Sequence, residues 1–513
     1  MSNFNNRKKY FLNELENLSK FRNTKSSFLI WAKVYYEIFY RLPTKKDLLA
    51  FDFAFISNGI EGLVKHIEKL FSQNFSIKGQ IEYRVFPKDS IFIDITHTIN
   101  YPFNTGIQRV VRSLIKEIHQ NQQVYPVRFE SLINSWVVVN QDELDSLISF
   151  ERNTGQKIPS SESNSIQKRI DDLNEITRAI WHGLYSSYRY LTSNENGIIH
   201  RRNINVERYK FILNRFRFKS VYRVRSREDL VVPFFLNQQL VIVEPIQNPH
   251  IVDSLEFFEE IGSLSCIVYD LLPISNPEFF QASGSFPQFL RLIGFASKIS
   301  SISNFTKNQI EKYATLRDDC SLSIHLLPMG ENVLINRSSK DLPVILNVGS
   351  FEPRKNQMSL LRACELLWSK GSRFQLILVG GQGWNNEDLK SYISELIMNG
   401  RDLRFLTDVS NETLEEFYKD SSIVVSIPWV EGFGLPVAEG IARNKIIVAS
   451  KIPSHIEFAN LSNVYFVEPG DLESIVDTLS LCLVNNYEIR DLSPHDFVTW
   501  KGYAAEIYNF LAD

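Results

Sequence analysis

Glu431 and Glu439 flank the run Gly432-Phe-Gly-Leu-Pro-Val-Ala438, directly after an apolar stretch from Ile423 to Ile427. A strand there would deliver Glu431 into a loop, and the glycines would let the backbone approach a ligand closely. A helix opening near Gly434 and Leu435 would aim its free N–H groups at an anion. Glu439 would sit within that helix. Carboxylates accept from hydroxyls, and a sugar nucleotide offers two sets of them, so Glu431 would meet the sugar ring and Glu439 the ribose. The alternative is an ordinary strand, turn and helix with solvated acids.

A second segment carries the matching cations. Leu342-Pro-Val-Ile-Leu-Asn-Val-Gly349 reads as a buried parallel strand, Ser350 to Asn356 as a loop, and a helix opens at about Gln357. Arg354 and Lys355 stand at that helix start, where positive charge works against the helix dipole. A diphosphate would explain them, because Arg can fork two oxygens and Lys supplies a compact point charge. The alternative is a pair of solvated cations.

Together these segments resemble the retaining GT-B glycosyltransferases of family four. The resemblance runs through the C-terminal half in order: Val348-Gly349, Glu352-Pro-Arg-Lys-Asn356, Val379-Gly-Gly-Gln-Gly-Trp384, Asp408-Val409 ahead of Leu414 and Tyr418, Glu431 to Glu439, and Ala449-Ser450 before Glu457. It implies that Arg354 and Lys355 bind the donor diphosphate with the helix start at Gly434 and Leu435. It also implies that Glu431 approaches the transferred sugar, that Glu439 holds ribose hydroxyls and that Val409 lies at the base. Two positions depart from the pattern: Ser350 stands where some relatives carry Arg, and Thr407 where a glycine often stands.

The N-terminal half is similar to the same family. Ser90 to Thr96 is a short apolar strand, and Asn104-Thr-Gly-Ile-Gln-Arg-Val-Val-Arg112 resembles the glycine loop and first helix that face the acceptor, with Gly106 as its glycine. Gly106 could equally just tighten a strand-to-helix turn. Ser265 to Pro273 resembles the family's strand followed by Tyr, Asp and Leu, which puts Asp270 at a strand end facing the cleft, where open α/β sheets place ligands. The alternative makes Asp270 a loop carboxylate capping the next turn. Ser301 to Thr306 and His325 to Gly330 continue the family order.

Composition agrees with a large globular enzyme. The chain has 513 residues, more than one core usually supports, with 44% hydrophobic and 22% charged residues. A net charge of −3 argues against nucleic acid as a partner. The four cysteines are widely spaced, without disulfide or zinc spacing, which fits a reducing cytoplasm. No run of 18 apolar residues occurs, and the polar start from Met1 to Tyr10 leads into no signal-peptide core. The expectation is a cytoplasmic chain that neither is exported by that route nor spans a membrane. Between Arg201 and Asp229, ten Lys or Arg face three acids, interleaved with Tyr209, Phe211, Phe216, Phe218 and Tyr222. That stretch reads either as a peripheral contact with the cytoplasmic face of the inner membrane or as a solvated basic face.

The elements that must position these residues are two alternating α/β sets. Residues 1–85 are expected as a helical extension, with Phe11, Leu12, Leu15 and Leu18 on one face and an aromatic helix from Phe28 to Tyr40 closed by Pro43. Residues 86–335 are the acceptor-side domain, interrupted by a polar insertion near Gln156 to Ser165. Residues 336–495 are the donor domain, and 496–513 a helix that, by the resemblance, crosses back to the first. The expected fold is therefore α/β: GT-B, two doubly wound Rossmann-like domains facing across a cleft.

The resemblance implies a retaining transferase moving a sugar, mannose or rhamnose, from a nucleotide-diphosphate sugar to a surface-polysaccharide or lipid-linked glycan. Glu431 and Asp270 are its expected catalytic carboxylates, with Asp270 as general base. The chain contains no Asp-x-Asp, the metal-binding pair of the other major glycosyltransferase fold, so neither metal nor cofactor is expected. Two other classes remain open on this scaffold: a sugar-nucleotide epimerase or phosphorylase, and a non-catalytic nucleotide- or glycan-binding protein.

Overall fold

A computed structural model describes residues 31, 35, 43, 45–72, 81–84, 86–87, 89–100, 106–121, 123–130, 135–149, 230–233, 238–246, 251–252, 255, 258, 262–280, 286–328, 342–407, 409–460, 463–484 and 498–513. The helix expected through Phe11 to Leu18, the insertion near 156–165 and the basic stretch 201–229 lie outside the described residues.

Among the described residues the first half supplies nine strands: β1 (Ile81–Arg84), β2 (Ile91–Asp94), β3 (Val124–Glu130), β4 (Ser135–Val138), β5 (Leu230–Pro233), β6 (Gln238–Ile242), β7 (Gly262–Val268), β8 (Lys298–Ser301) and β9 (Ser321–Ile324). Seven form one sheet in the order β4-β3-β2-β6-β7-β8-β9, parallel except for the β3–β4 pair. β2 and β6 are buried along their whole length, as central strands of a parallel sheet covered on both faces must be. β1 and β5 pair separately. The extension ahead of the sheet is therefore not helical to its end: the helix Lys45–Ser72 breaks at Asn58 and Gly59, and Ile81–Arg84 is strand.

The second half builds a wholly parallel sheet from β10 (Val344–Val348), β11 (Gln375–Gly380), β12 (Leu403–Thr407), β13 (Ile423–Ser426), β14 (Ile446–Ser450) and β15 (Val464–Val467). Its order is β12-β11-β10-β13-β14-β15, so successive connections run first one way and then the other, reversing between β10 and β13. The first sheet reverses between β2 and β6. Such switch points open a crevice beyond the carboxyl ends of the strands, and that is where doubly wound sheets take ligands.

One apolar cluster joins the halves. It includes Ile93, Val111 and Leu114 from the first, Val344 and Val437 from the second, and Tyr503 and Ile507 from the terminal helix Trp500–Ala512. That helix docks on the first sheet's domain. Lys298 Nζ donates to the carbonyls of Phe510 and Leu511 at 3.0 Å each, meeting both the unpaired carbonyls and the negative helix end. Tyr508 donates to Gln123 Oε1 at 2.7 Å.

Polar contacts fix how the strand ends of the two sheets meet. Ser303 Oγ donates to the Gly432 carbonyl at 2.8 Å. Glu457, after β14, accepts from the backbone N–H of Asn304 at 3.0 Å and of Phe305 at 2.8 Å. These are the first residues of the helix Asn304–Tyr313, so a carboxylate from one sheet caps a helix of the other. The fold is thus α/β, two doubly wound sheets facing each other at their carboxyl ends, the GT-B arrangement. All four cysteines are unpaired, and no helix among the described residues is long and apolar enough to cross a membrane.

Candidate functional site

The site begins where β10 ends. Arg354 and Lys355 do not open the following helix; they lie in a 3-10 turn, Pro353–Lys355, ahead of the helix Gln357–Ser369. Asn356 makes the separation, adopting the left-handed region at φ 57°, which Asn tolerates better than most residues. Its Nδ2 donates to the carbonyls of Ile427 at 3.1 Å and Pro469 at 2.8 Å, tying the turn to the ends of β13 and β15. The dipole argument for the two cations therefore does not apply. Their placement is explained by what they bind.

Both cations meet Glu431, delivered by the loop after β13. Glu431 Oε2 accepts from Arg354 Nη1 at 2.9 Å and from Lys355 Nζ at 2.5 Å. Arg354 also donates to the Val430 carbonyl at 3.1 Å and to Glu352 at 2.8 Å. Burial pushes the Glu431 carboxyl up, but the charges of Lys355 and Arg354 outweigh it and hold the group at about 2. Burial and the neighbouring Arg354 pull Lys355 below its ordinary value, against the attraction of Glu431. Opposed to its own burial, Arg354 is raised by Glu431 and Glu352.

The second glutamate sits a turn into the helix Leu435–Ala442 and is buried. Its Oε2 accepts from the Tyr418 hydroxyl at 2.7 Å, and its Oε1 is ion-paired with Arg109 of the first sheet's domain. The helix is opened by Gly434 at φ 100°, with no side chain capping its first turn. A Cβ at Gly434 would stand 2.6 Å from His455 Nε2, so only glycine fits both the angle and the space. Pro436 has no N–H, and Val437 N–H returns to the Gly434 carbonyl at 3.0 Å. Gly434 and Leu435 are then the positions whose N–H could face an anion. Leu435 also touches the other domain: its Cδ1 lies 3.6 Å from where a Cβ on Gly106 would be. Val409, after β12, packs at the edge of the same apolar cluster as Tyr418 and Val437.

Asp270 lies two residues beyond β7 and comes against the Glu431 loop. A Cβ on Gly432 would stand 2.8 Å from Asp270 Cβ, so that glycine admits the carboxylate. Oδ1 of Asp270 accepts from Leu272 N–H at 3.1 Å, the turn-capping bond of the alternative reading, while Oδ2 faces Gly432. Burial raises its pKa above the ordinary carboxylate value and Glu431 adds to this, against Arg354 and Lys355.

The structure thus brings Arg354, Lys355, Glu431 and Asp270 together, with Gly434 joined to them through His455; Leu435 faces Gly106, and Glu439 lies a turn further along the same helix. Besides Glu352, which pairs with Arg354, three residues at the site received no role from the sequence. Tyr418 and Arg109 lay inside quoted motifs, but nothing in a one-dimensional pattern pairs residues 330 positions apart. His455, wholly buried against Gly434 and lowered to about 4 by burial, carried no signal beyond its place two residues before Glu457.

Residues 331–494 match the family described as "Glycosyl transferases group 1". The chain is 25% identical over 301 residues to the serotype-specific mannosyltransferase WbdA of Escherichia coli, covering 54% of this chain and 36% of that protein. It is 31% identical over 160 residues to O-antigen chain mannosyltransferase B of Escherichia coli, covering 31% of this chain and 40% of the relative. The chain therefore spans well under half the length of these relatives. Among solved structures, sucrose-phosphate synthase from Thermosynechococcus elongatus aligns with a TM-score of 0.49 at 13% identity, over 82% of this chain and 97% of that one.

Proposed function

We propose that this protein is a retaining glycosyltransferase that moves a sugar from a nucleoside diphosphate sugar to a surface-polysaccharide or lipid-linked glycan. The observation that carries the reading is Glu431 held by Arg354 and Lys355 at the switch point of a parallel sheet. The Glu431 carboxylate is hydrogen-bonded to both cations. A diphosphate takes them over as charge-assisted partners and releases Glu431 to the sugar. As the bond from the sugar to the diphosphate breaks, Arg354 and Lys355 meet the charge growing on the leaving oxygen, and Glu431 meets the positive charge growing on the sugar. Asp270 receives the proton of the attacking hydroxyl, a role that its raised pKa suits. Glu439 holds the ribose, and Val409 lies at the base.

Mannose is the favoured sugar, with rhamnose next, because the relatives carry mannosyltransferase names. The two cations stand in for a divalent metal, so no metal is required. The test is incubation with GDP-mannose, dTDP-rhamnose and UDP-glucose in EDTA, following nucleoside diphosphate release and the anomeric configuration of the product by NMR. One donor should be turned over with its configuration kept. Activity lost in EDTA and restored by magnesium or manganese would contradict the donor site. Interconversion of the sugar without transfer would mean an epimerase.

A further inference from the structure

Glu439 is held from two directions by donors that belong to different halves of the molecule. Tyr418, itself buried, donates to Oε2 at 2.7 Å, and Arg109 pairs with Oε1 from the helix Gly106–Ile118 that follows β2. The Arg109 side chain is 33% exposed and that of Glu439 only 9%, so the guanidinium reaches inward from the rim to a buried acceptor. Arg443 stacks over the Tyr418 ring at 4.7 Å but donates to Glu415 at 3.0 Å and to the Glu439 backbone carbonyl at 2.8 Å. These bonds leave the Glu439 carboxylate to the other two.

A carboxylate has about four lone-pair positions, and two are taken. With one donor on each oxygen, the plane of the group is fixed and one position per oxygen is left for a ligand. We propose that Arg109 is a positioning residue for ribose recognition: from the opposite domain it orients the carboxylate that receives the ribose 2′-hydroxyl. The inference rests on the donor reading above and adds a residue on the other sheet to it. Because Arg109 and Glu439 sit on helices of different halves of the molecule, ribose binding and the approach of the two halves favour each other reciprocally.

The test is calorimetric titration of the wild type, R109A and R109K with ADP, GDP, UDP and CDP, each against its 2′-deoxy counterpart. The wild type should prefer the ribonucleotide by roughly tenfold, the scale of one hydrogen bond to a charged group. R109A should lose most of that preference, and R109K, which keeps one donor, should retain part of it. With donor sugar, the defect of R109A should appear in KM more than in kcat. Equal weakening of both nucleotides with the ratio unchanged would leave Arg109 as a structural strut and overturn the proposal, as would a wild type with no preference for ribose. If R109A does not fold, R109K decides between these outcomes. Failure of all four ribonucleotides and of dTDP to bind the wild type would instead remove the donor reading on which the inference stands, whereas binding of dTDP alone would overturn the proposal.

Discussion

Glu431, Glu352, Arg354 and Lys355 form a cluster whose formal charges cancel, and each side chain is mostly shielded from water. Breaking a buried pair by removing one partner leaves an uncompensated charge, which is why such a cluster is fragile to single changes. It is also why a diphosphate suits it: the ligand offers the cations an alternative partner while Glu431 finds another in the sugar. Replacing either cation by Ala should weaken nucleoside diphosphate binding. It should also slow turnover by about 10²–10³, on the order of 3–4 kcal/mol in the barrier, as loss of a preorganised contact to developing charge does elsewhere. Calorimetry and initial rates on R354A and K355A check this; unchanged affinity and rate in both would remove the pair from the site.

The strand ends decide which side chains can meet, and they were the most legible part of the sequence. The apolar runs that became β2 and β10 were readable because a strand covered on both faces needs an unbroken hydrophobic stretch. The helix start at Gln357 and the place of Glu439 inside its helix were likewise visible. What was not visible depended on contacts between elements. Asn356 in the left-handed region moved Arg354 and Lys355 out of the helix, and its reason lies in carbonyls of two other strand ends. Asp270 turned out to cap a turn and face the other sheet at once, so two readings that competed in the sequence are both realised.

Asp94 at the end of β2 is a further case at this scale: it reads as an ordinary polar strand ending, yet it is buried beside Glu244. Burial, helped by Glu244 and opposed by the hydrogen bonds of Thr96, raises its pKa from 3.8 to about 7. The folded protein then keeps a proton that the unfolded chain releases above pH 3.8. The stability this contributes is complete below that pH and is lost as pH rises toward 7. Relative to D94N, which has no such proton, the wild type should lose up to about 1.4 kcal/mol for each pH unit across that window. Urea unfolding of both proteins at several pH values checks it, and a difference independent of pH would show that Asp94 is ionised in the fold.

At the scale of the whole molecule, the two halves are tied through Ser303, Glu457, Arg109 and the terminal helix. Arg354, Lys355 and Glu431 come from the second sheet's half, while Asp270 and Gly106 approach from the first, so the proposed reaction requires both. That division makes the two glutamates separable by experiment. Glu439→Gln should weaken binding of nucleoside diphosphate and of sugar nucleotide alike, since both carry the ribose. The most direct measurement is on Glu431→Gln, pairing calorimetric titration with nucleoside diphosphate and the rate of sugar transfer. With the carboxylate charge gone, Arg354 and Lys355 are freed for phosphate, so affinity for the diphosphate should equal or exceed the wild type, while turnover falls by about 10²–10³. Sugar transfer by Glu431→Gln at the wild-type rate would contradict the account and leave Glu431 as a loop acid neutralising two cations.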